Sequence, residues 1–184
     1  MKRSLASPDM HPYLAYCRTN QPQIARCIEE MVCCESPTDS PRHVDRFVDL
    51  LIERTKDIAR AKAIRVEGYG RNVRLEFRTA GRKKEGQILG LGHSDTVWPL
   101  GTLRHMPFRE AEGRLWGPGV LDMKSGLALF IYAVRALIDL GVQVRRRIVL
   151  LIVSDEEVGS PMSRPITEAE ARNSRSVLVV EPGT

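Results

Sequence analysis

The sequence predicts an α/β fold, a layered α/β/α arrangement around a central, mostly parallel mixed sheet. Apolar runs at 87–93, 147–153 and 176–180 have the length and residue types of strands. The segment 124–141, between the first two runs, has apolar residues at helical spacing. A polar stretch with helical potential separates the last two. Because strands and helices alternate, we expect one sheet with helices packed on it.

Residues 1–58 are expected to be mainly helical and to belong to the same domain, which we place at 1–184. Residues 22–36 have helical periodicity, and a second helix is predicted to follow Ser40 as N-cap, with Pro41 in its first turn. The β-rich runs 63–70 and 72–79 then begin the sheet. A loop rich in proline and glycine leads to the helix at 124–141.

The run at 176–180, "SVLVV", contains only apolar residues after its serine. Such a run is typical of a strand that is covered on both faces. The residues that would cover part of it are expected to be missing from this sequence, so apolar surface should remain exposed and the chain should self-associate or be poorly soluble.

The composition is that of an ordinary globular protein, with 42% hydrophobic and 28% charged residues. The net charge is +5, but the basic residues are scattered apart from "GRKKEG" at 81–86 and "RRR" at 145–147. We interpret both runs as solvated loop or strand-entry charge, since few aromatic residues are present to stack on bases. No nucleic-acid partner is expected.

No apolar run reaches the 18 residues of a membrane span, and the first 16 residues lack the apolar stretch of a secretory signal. We therefore expect no membrane partner and a cytoplasmic location. Cysteines 17, 27, 33 and 34 have no C-x-x-C spacing and are predicted to be structural rather than zinc ligands.

Polar side chains follow each predicted strand of the alternating part, and one precedes the helix. They are His93 and Asp95 after the first strand, Asp155, Glu156 and Glu157 after the second, Glu181 after the third, and Asp122 before the helix. Taken singly, each has an ordinary structural explanation. Because the carboxyl ends of strands in α/β sheets meet at one edge, their joint placement predicts a functional site there.

Neighbouring carboxylates repel one another, and a cation can offset both that repulsion and their loss of hydration. Mixed nitrogen and oxygen ligands suit zinc, cobalt or manganese better than magnesium. Two metals sharing one aspartate would account for the number of acids, and a spare glutamate can accept a proton from water. The pattern therefore indicates a hydrolase site.

Four motifs, "GHSDTV", "GPGVLDMKSG", "SDEEVGS" and "VVEPG", occur in the order and approximate spacing of one known family. From about residue 40 onward the sequence resembles the M20 family of di-zinc metallopeptidases, and most closely its glutamate carboxypeptidases. The resemblance implies two zinc ions in a complete site, with cobalt or manganese as alternatives. It also implies a cis peptide bond between Asp122 and Met123.

The resemblance assigns a role to each matching residue. His93 and Glu181 bind the first metal, Glu157 binds the second, and Asp122 bridges the two metals. Glu156 is the general base, and Asp95 orients His93. Asp155 is interpreted as a bystander or an N-cap, and His11, His43 and His105 as surface residues.

Family members continue past the last motif into a lid and dimerisation domain, which this sequence does not match. Their second half also supplies a histidine ligand, an arginine for the substrate carboxylate and an oxyanion-stabilising histidine. We therefore expect an N-terminal portion of the catalytic domain, inactive alone, with homodimerisation an option for a longer form.

The resemblance implies a metal-dependent amide hydrolase, a carboxypeptidase that releases a C-terminal amino acid such as glutamate. Its expected partners are small peptides or N-acyl amino acids. An N-acyl amino acid deacylase of the same family is the first alternative. A non-catalytic metal-binding or interaction domain is the second, should the short chain be the natural product.

Overall fold

A computed structural model describes residues 10–181. The expectation of no secretory signal rests on residues 1–16, of which 1–9 lie outside the described residues. The end of the last motif, from residue 182 onward, also lies outside them. Two helices open the fold, α1 (Pro12–Cys33) and α2 (Pro41–Thr55). α1 begins ten residues earlier than predicted. In α2, Ser40 is the N-cap, but its hydroxyl contacts His43 Nδ1 at 2.7 Å instead of a main-chain amide.

Within residues 10–181, five strands form the main sheet, in the order β1-β2-β6-β3-β7. In chain order they are β1 (Ala59–Ile64), β2 (Asn72–Phe77), β3 (Gln87–His93), β6 (Arg147–Val153) and β7 (Ser174–Val179). The β1–β2 and β2–β6 pairs are antiparallel, whereas β3 pairs in parallel with both β6 and β7. Four strands thus run in one direction, and the predicted mixed sheet is confirmed.

Helices cover both faces of the sheet. Side chains of α1, α2 and α3 (Ser125–Asp139) pack with β2 and β6 in the larger apolar cluster. On the other face, Leu89, Val149 and Leu151 pack against Ile166 of α4 (Arg164–Arg172). The three-layer α/β/α prediction is therefore confirmed.

Three details differ from the sequence prediction. The first strand is Ala59–Ile64 rather than 63–70. The Pro- and Gly-rich connection contains a small hairpin, β4 (Arg109–Ala111) with β5 (Arg114–Trp116), which was not predicted. Strand β7 lies at an edge of the sheet, and its residues Val177 to Val179 are 42–62% exposed. The exposed apolar surface was expected, but the edge position was not predicted, because an apolar run alone does not reveal the place of a strand in the sheet.

None of the helices in residues 10–181 is both long enough and apolar enough to cross a membrane.

Candidate metal centre

The site lies where three parallel strands end, beside the first turn of α3. His93 is the last residue of β3, and Glu156 and Glu157 lie in a short 3₁₀ turn just after β6. Glu181 follows the end of β7, and Asp122 precedes α3. Parallel pairing of β3 with both neighbours brings these strand ends to one edge of the sheet.

The three predicted carboxylate ligands and the predicted base all lie near the His93 imidazole. His93 Nε2 lies 2.9 Å from Asp122 Oδ1 and 3.9 Å from one carboxylate oxygen each of Glu156 and Glu181. Two sets of possible ligands share His93, one with Asp122 and Glu157, the other with Glu156 and Glu181. Within each set the ligand atoms lie within 4.8 Å of one another. By distance, Glu156 could itself ligate, whereas the resemblance makes it a base.

Asp95 connects the end of β3 with the turn that follows β6. Its carbonyl oxygen lies 2.9 Å from His93 Nδ1, and its buried carboxylate lies 3.4 Å from the same nitrogen. A carbonyl only accepts hydrogen bonds, so Nδ1 carries a proton and Nε2 is the nitrogen left to ligate. The Asp95 carboxylate also accepts hydrogen bonds from the amides of Glu156 and Glu157 and from the Thr38 hydroxyl.

Several carboxylates surround one imidazole, and their charges shift the pKa values of the groups in the site. Burial opposes protonation of His93, but the carboxylate of Asp95 and the charges of Glu156 and Asp122 outweigh it and raise the pKa to about 9. Burial also raises the pKa of Glu156 and of Glu157; the imidazolium counteracts this, and the neighbouring acids reinforce it. These carboxyls are therefore stronger bases than free glutamate.

The peptide bond between Asp122 and Met123 is cis, as the resemblance predicted. Met123 is buried, and its sulfur accepts a hydrogen bond from the His93 amide at 3.1 Å. The main chain that carries Asp122 is thus in contact with the end of β3.

Two supporting residues were not predicted. The buried ammonium of Lys124 donates to the Cys34 carbonyl at 2.8 Å and lies 4.6 Å from the centre of the Phe47 ring. The Glu35 carboxylate accepts hydrogen bonds from the amides of Gly101 and Leu103. Both tie the end of α1 to segments around the site. The partners are main-chain atoms far away in the sequence, so no local pattern could have revealed them.

The remaining predicted residues lie outside the cluster. The Asp155 carboxylate is buried and accepts hydrogen bonds from the amides of Met162 and Ser163, at the entrance to α4. It therefore shapes the turn before that helix. His11 and His105 are exposed, and His43 is half-buried beside Ser40. All four cysteines are free, with Cys27 buried and Cys17 and Cys33 exposed.

The donor set fits a divalent cation. One imidazole nitrogen and four carboxylates converge, and within residues 10–181 no lysine or arginine forms an ion pair with any of those carboxylates. Uncompensated charge of this kind is costly unless a proton or a cation offsets it. The mixture of nitrogen and oxygen donors suits zinc, cobalt or manganese.

An α/β layered chain with an acidic, histidine-containing cluster at its strand ends defines a candidate metal-site protein. The sequence model of peptidase family M20/M25/M40 matches residues 90–184. The chain belongs to this family, and the resemblance inferred from its motifs is confirmed.

Two curated relatives show how far the similarity extends. Carboxypeptidase G2 of Pseudomonas sp. (strain RS-16) is 30% identical over 88% of this chain and 39% of its own length. A succinyl-diaminopimelate desuccinylase of Burkholderia mallei (strain SAVP1) is 33% identical over 70% of this chain and 34% of its own. The chain thus spans less than two fifths of the length of either relative.

Solved structures share the fold at lower identity. Aminopeptidase PepT from Bacillus cereus ATCC 10987 superposes with a TM-score of 0.75 at 20% identity, covering 90% of this chain and 44% of that one. Human carnosine dipeptidase 1 gives a TM-score of 0.74 at 18% identity, over 91% of this chain and 40% of that one.

Proposed function

We propose that these residues supply the metal-binding part of a zinc-dependent amide hydrolase, a carboxypeptidase that removes a C-terminal amino acid such as glutamate. The observation that carries the proposal is the convergence of Asp122, Glu156 and Glu181 on His93 Nε2 at the carboxyl ends of parallel strands. Membership of a peptidase family and the similarity to a carboxypeptidase support it.

In this proposal His93, Asp122 and Glu181 would hold one zinc, and Asp122 and Glu157 would hold a second. Bound zinc supplies Lewis acidity, which makes water more acidic and polarises the scissile carbonyl. Cobalt or manganese would suit the same donors. Asp95 keeps the imidazole oriented through its contacts with Nδ1.

Glu156 is proposed as the general base. Its carboxylate accepts a proton from the attacking water and then donates it to the nitrogen of the leaving amine. The raised pKa of this group, caused first by burial and then by neighbouring acids, makes it a stronger proton acceptor than an exposed glutamate. Its amide is held by Asp95 Oδ1 at 3.3 Å, which fixes the start of the turn that carries it.

An N-acyl amino acid deacylase is the second candidate, and the similarity to a succinyl-diaminopimelate desuccinylase favours it. Both reactions hydrolyse an amide bond and need the same base. A cytoplasmic location is also proposed, because free cysteines are typical of reducing compartments.

Metal content of the 184-residue chain tests the ligand set. After zinc loading and dialysis, mass spectrometry should find about one tightly held zinc, since a complete catalytic zinc site has three protein ligands. His93→Ala should lose it, and the exposed-site control His105→Ala should keep it. Equal zinc content in both variants would contradict the ligand assignment.

Hydrolysis is tested with the complete product of the gene that encodes these residues. N-acyl glutamates, dipeptides and succinylated amines are assayed with zinc, cobalt or manganese added back. Release of terminal glutamate supports the carboxypeptidase, and preference for the succinylated amines supports the deacylase. A zinc-loaded protein that hydrolyses none of them would contradict the proposed function while leaving the metal site intact.

A further inference from the structure

A basic cavity lies at the end of the sheet opposite the carboxylate cluster. It is formed by the two connections that lead into β3 and β6, whose first residues are Gln87 and Arg147. Its volume is about 860 Å³. Each strand has seven residues, so the cavity is about 20 Å from the metal centre. Its charged lining is Arg82, Lys83, Lys84, Glu85, Arg145 and Arg146.

The fold brings together two basic runs that are about 60 residues apart in the sequence. The Lys84 amide donates to the Arg145 carbonyl at 2.8 Å, and the Val144 amide to the Ala80 carbonyl at 2.9 Å. Gly81 permits this approach: its φ is +101°, and an added Cβ would lie 3.0 Å from the Val144 carbonyl oxygen. The two loops are therefore fixed side by side.

Lys83 has a structural part in this arrangement. Its ammonium donates to the carbonyl oxygens of Thr79, Ala80 and Val144, at 2.7, 3.0 and 2.9 Å. Its hydrogen-bonding capacity is used in joining the loops. The Arg146 guanidinium also donates to the Glu85 carbonyl, which uses part of its capacity. Arg82 and Arg145 keep theirs available: within residues 10–181 no ion pair engages either of them, and both are exposed.

The lining carries five cations against one acid, Glu85, and an anion placed among the cations lowers their mutual repulsion. Guanidinium groups bind phosphate oxygens in a bidentate manner, and the cavity supplies three of them, with Lys84 as a fourth positive charge. Among the described residues no aromatic side chain lines it, so this part of the chain offers no stacking surface of the kind that single-stranded nucleic acids use. The concave shape favours a compact polyanion.

We propose that the basic cavity, defined by Arg82, Lys84, Arg145 and Arg146, binds a small oligophosphate, either free or as the phosphate chain of a nucleotide. The ligand lies at the remote end of the sheet and does not contact the substrate of the proposed hydrolase. The site is thus separate from the proposed catalysis.

Isothermal titration of the 184-residue chain with sodium tripolyphosphate tests the proposal. Divalent cations are first removed with EDTA, so that the carboxylate cluster contributes no affinity for anions, and the EDTA is then dialysed away because it is itself a polyanion. Near physiological ionic strength we expect saturable binding of one ligand per chain, weakening as salt is added. Arg82→Gln/Arg145→Gln should weaken binding at least about tenfold, because charge-assisted hydrogen bonds are lost. Both side chains are exposed, and unchanged thermal melts check the fold.

The matched control is Arg60→Gln/Lys62→Gln, which removes the same charge from exposed positions on β1. It should change the affinity less than about twofold, since Arg60 and Lys62 do not line the cavity and exposed charges outside it are screened by salt. Equal losses in the two double variants, or no saturable binding, would overturn the proposal.

Comparing tripolyphosphate with ATP and AMP distinguishes a free oligophosphate from the phosphate chain of a nucleotide. Similar affinity for tripolyphosphate and ATP identifies the phosphate chain alone as the ligand, and tighter binding of ATP identifies a nucleotide. A short DNA oligonucleotide that binds more tightly than all three, and loses affinity in Arg82→Gln/Arg145→Gln, would replace the proposal with a nucleic-acid surface.

Discussion

Replacing Gly126 with alanine tests how the end of β7 is held against the first turn of α3. A Cβ at this position would lie 1.8 Å from the Val180 carbonyl oxygen, whereas real Cβ contacts under 3.0 Å essentially do not occur. The main chain at Val180 must therefore move about 1 Å or more away from the main chain at Gly126. Since Glu181 follows Val180 directly, its carboxylate moves away from His93, which it now approaches to 3.9 Å.

The size of this movement decides the outcome. Ligand distances in metal sites tolerate deviations of about 0.2 Å, so a shift of about 1 Å removes Glu181 from the ligand set. We expect zinc affinity to fall by at least the roughly 10- to 100-fold that loss of a supporting residue causes. Overpacking costs about 1–3 kcal/mol in unfolding free energy, more than the up to about 1 kcal/mol that alanine gains over glycine in a helix.

Zinc affinity is measured by competition with a chromophoric chelator, and the stability of the EDTA-treated chain by denaturant unfolding. Gly113→Ala is the control, because this glycine lies in the β4–β5 turn with open space around it. That variant should lose some stability through its positive φ but keep its zinc affinity. Unchanged zinc affinity in Gly126→Ala, or an equal loss in Gly113→Ala, would refute the reasoning.

Three further predictions follow from the charges and burial of named side chains. Because the pKa of His93 is raised to about 9, zinc must displace a proton, and its affinity measured by calorimetry should rise as pH increases from about 6.5 to 9. The His93 contribution to the stability of the EDTA-treated chain is present below about pH 6.5 and is lost as pH rises through about 9. In the active gene product, Glu156→Gln should retain zinc and lose about 100- to 10,000-fold in turnover. Glu157→Gln should lose zinc as well, and zinc loss in Glu156→Gln would make Glu156 a ligand instead. A maleimide should label exposed Cys17 well before Cys27, since burial raises the Cys27 pKa to about 11; equal rates, read by peptide mass spectrometry, would contradict the buried position.

The sequence located the strands wherever the apolar pattern was strong. The runs at 87–93 and 147–153 coincide with β3 and β6, because central strands need apolar side chains on both faces. Strand β1 was misplaced because the apolar positions of "ARAKAI" are mostly alanine, which is depleted in strands, and its pairing with β2 is what defines it. The hairpin β4–β5 has three-residue strands, too short for periodicity to detect.

The sequence predicted which residues form the candidate site, but it did not predict how the strands that carry them are arranged. Strand ends in the sequence indicated which residues would meet, since parallel strands bring their carboxyl ends together. The order of strands in the sheet depends on long-range pairing, which left the edge position of β7 unpredicted. Lys124 escaped notice for a similar reason: its acceptor, the Cys34 carbonyl, is 90 residues away in the sequence.

The contacts of Asp95 have a consequence for the order of events at the metal centre. One residue accepts from the His93 ring, from the amides after β6 and from Thr38, so the imidazole acquires its orientation when the sheet forms. Ring rotation is arrested before any ion arrives, and the entropy of fixing that side chain is already lost on folding. An incoming cation therefore meets an imidazole that is already oriented, and binding requires only that the proton on Nε2 be displaced.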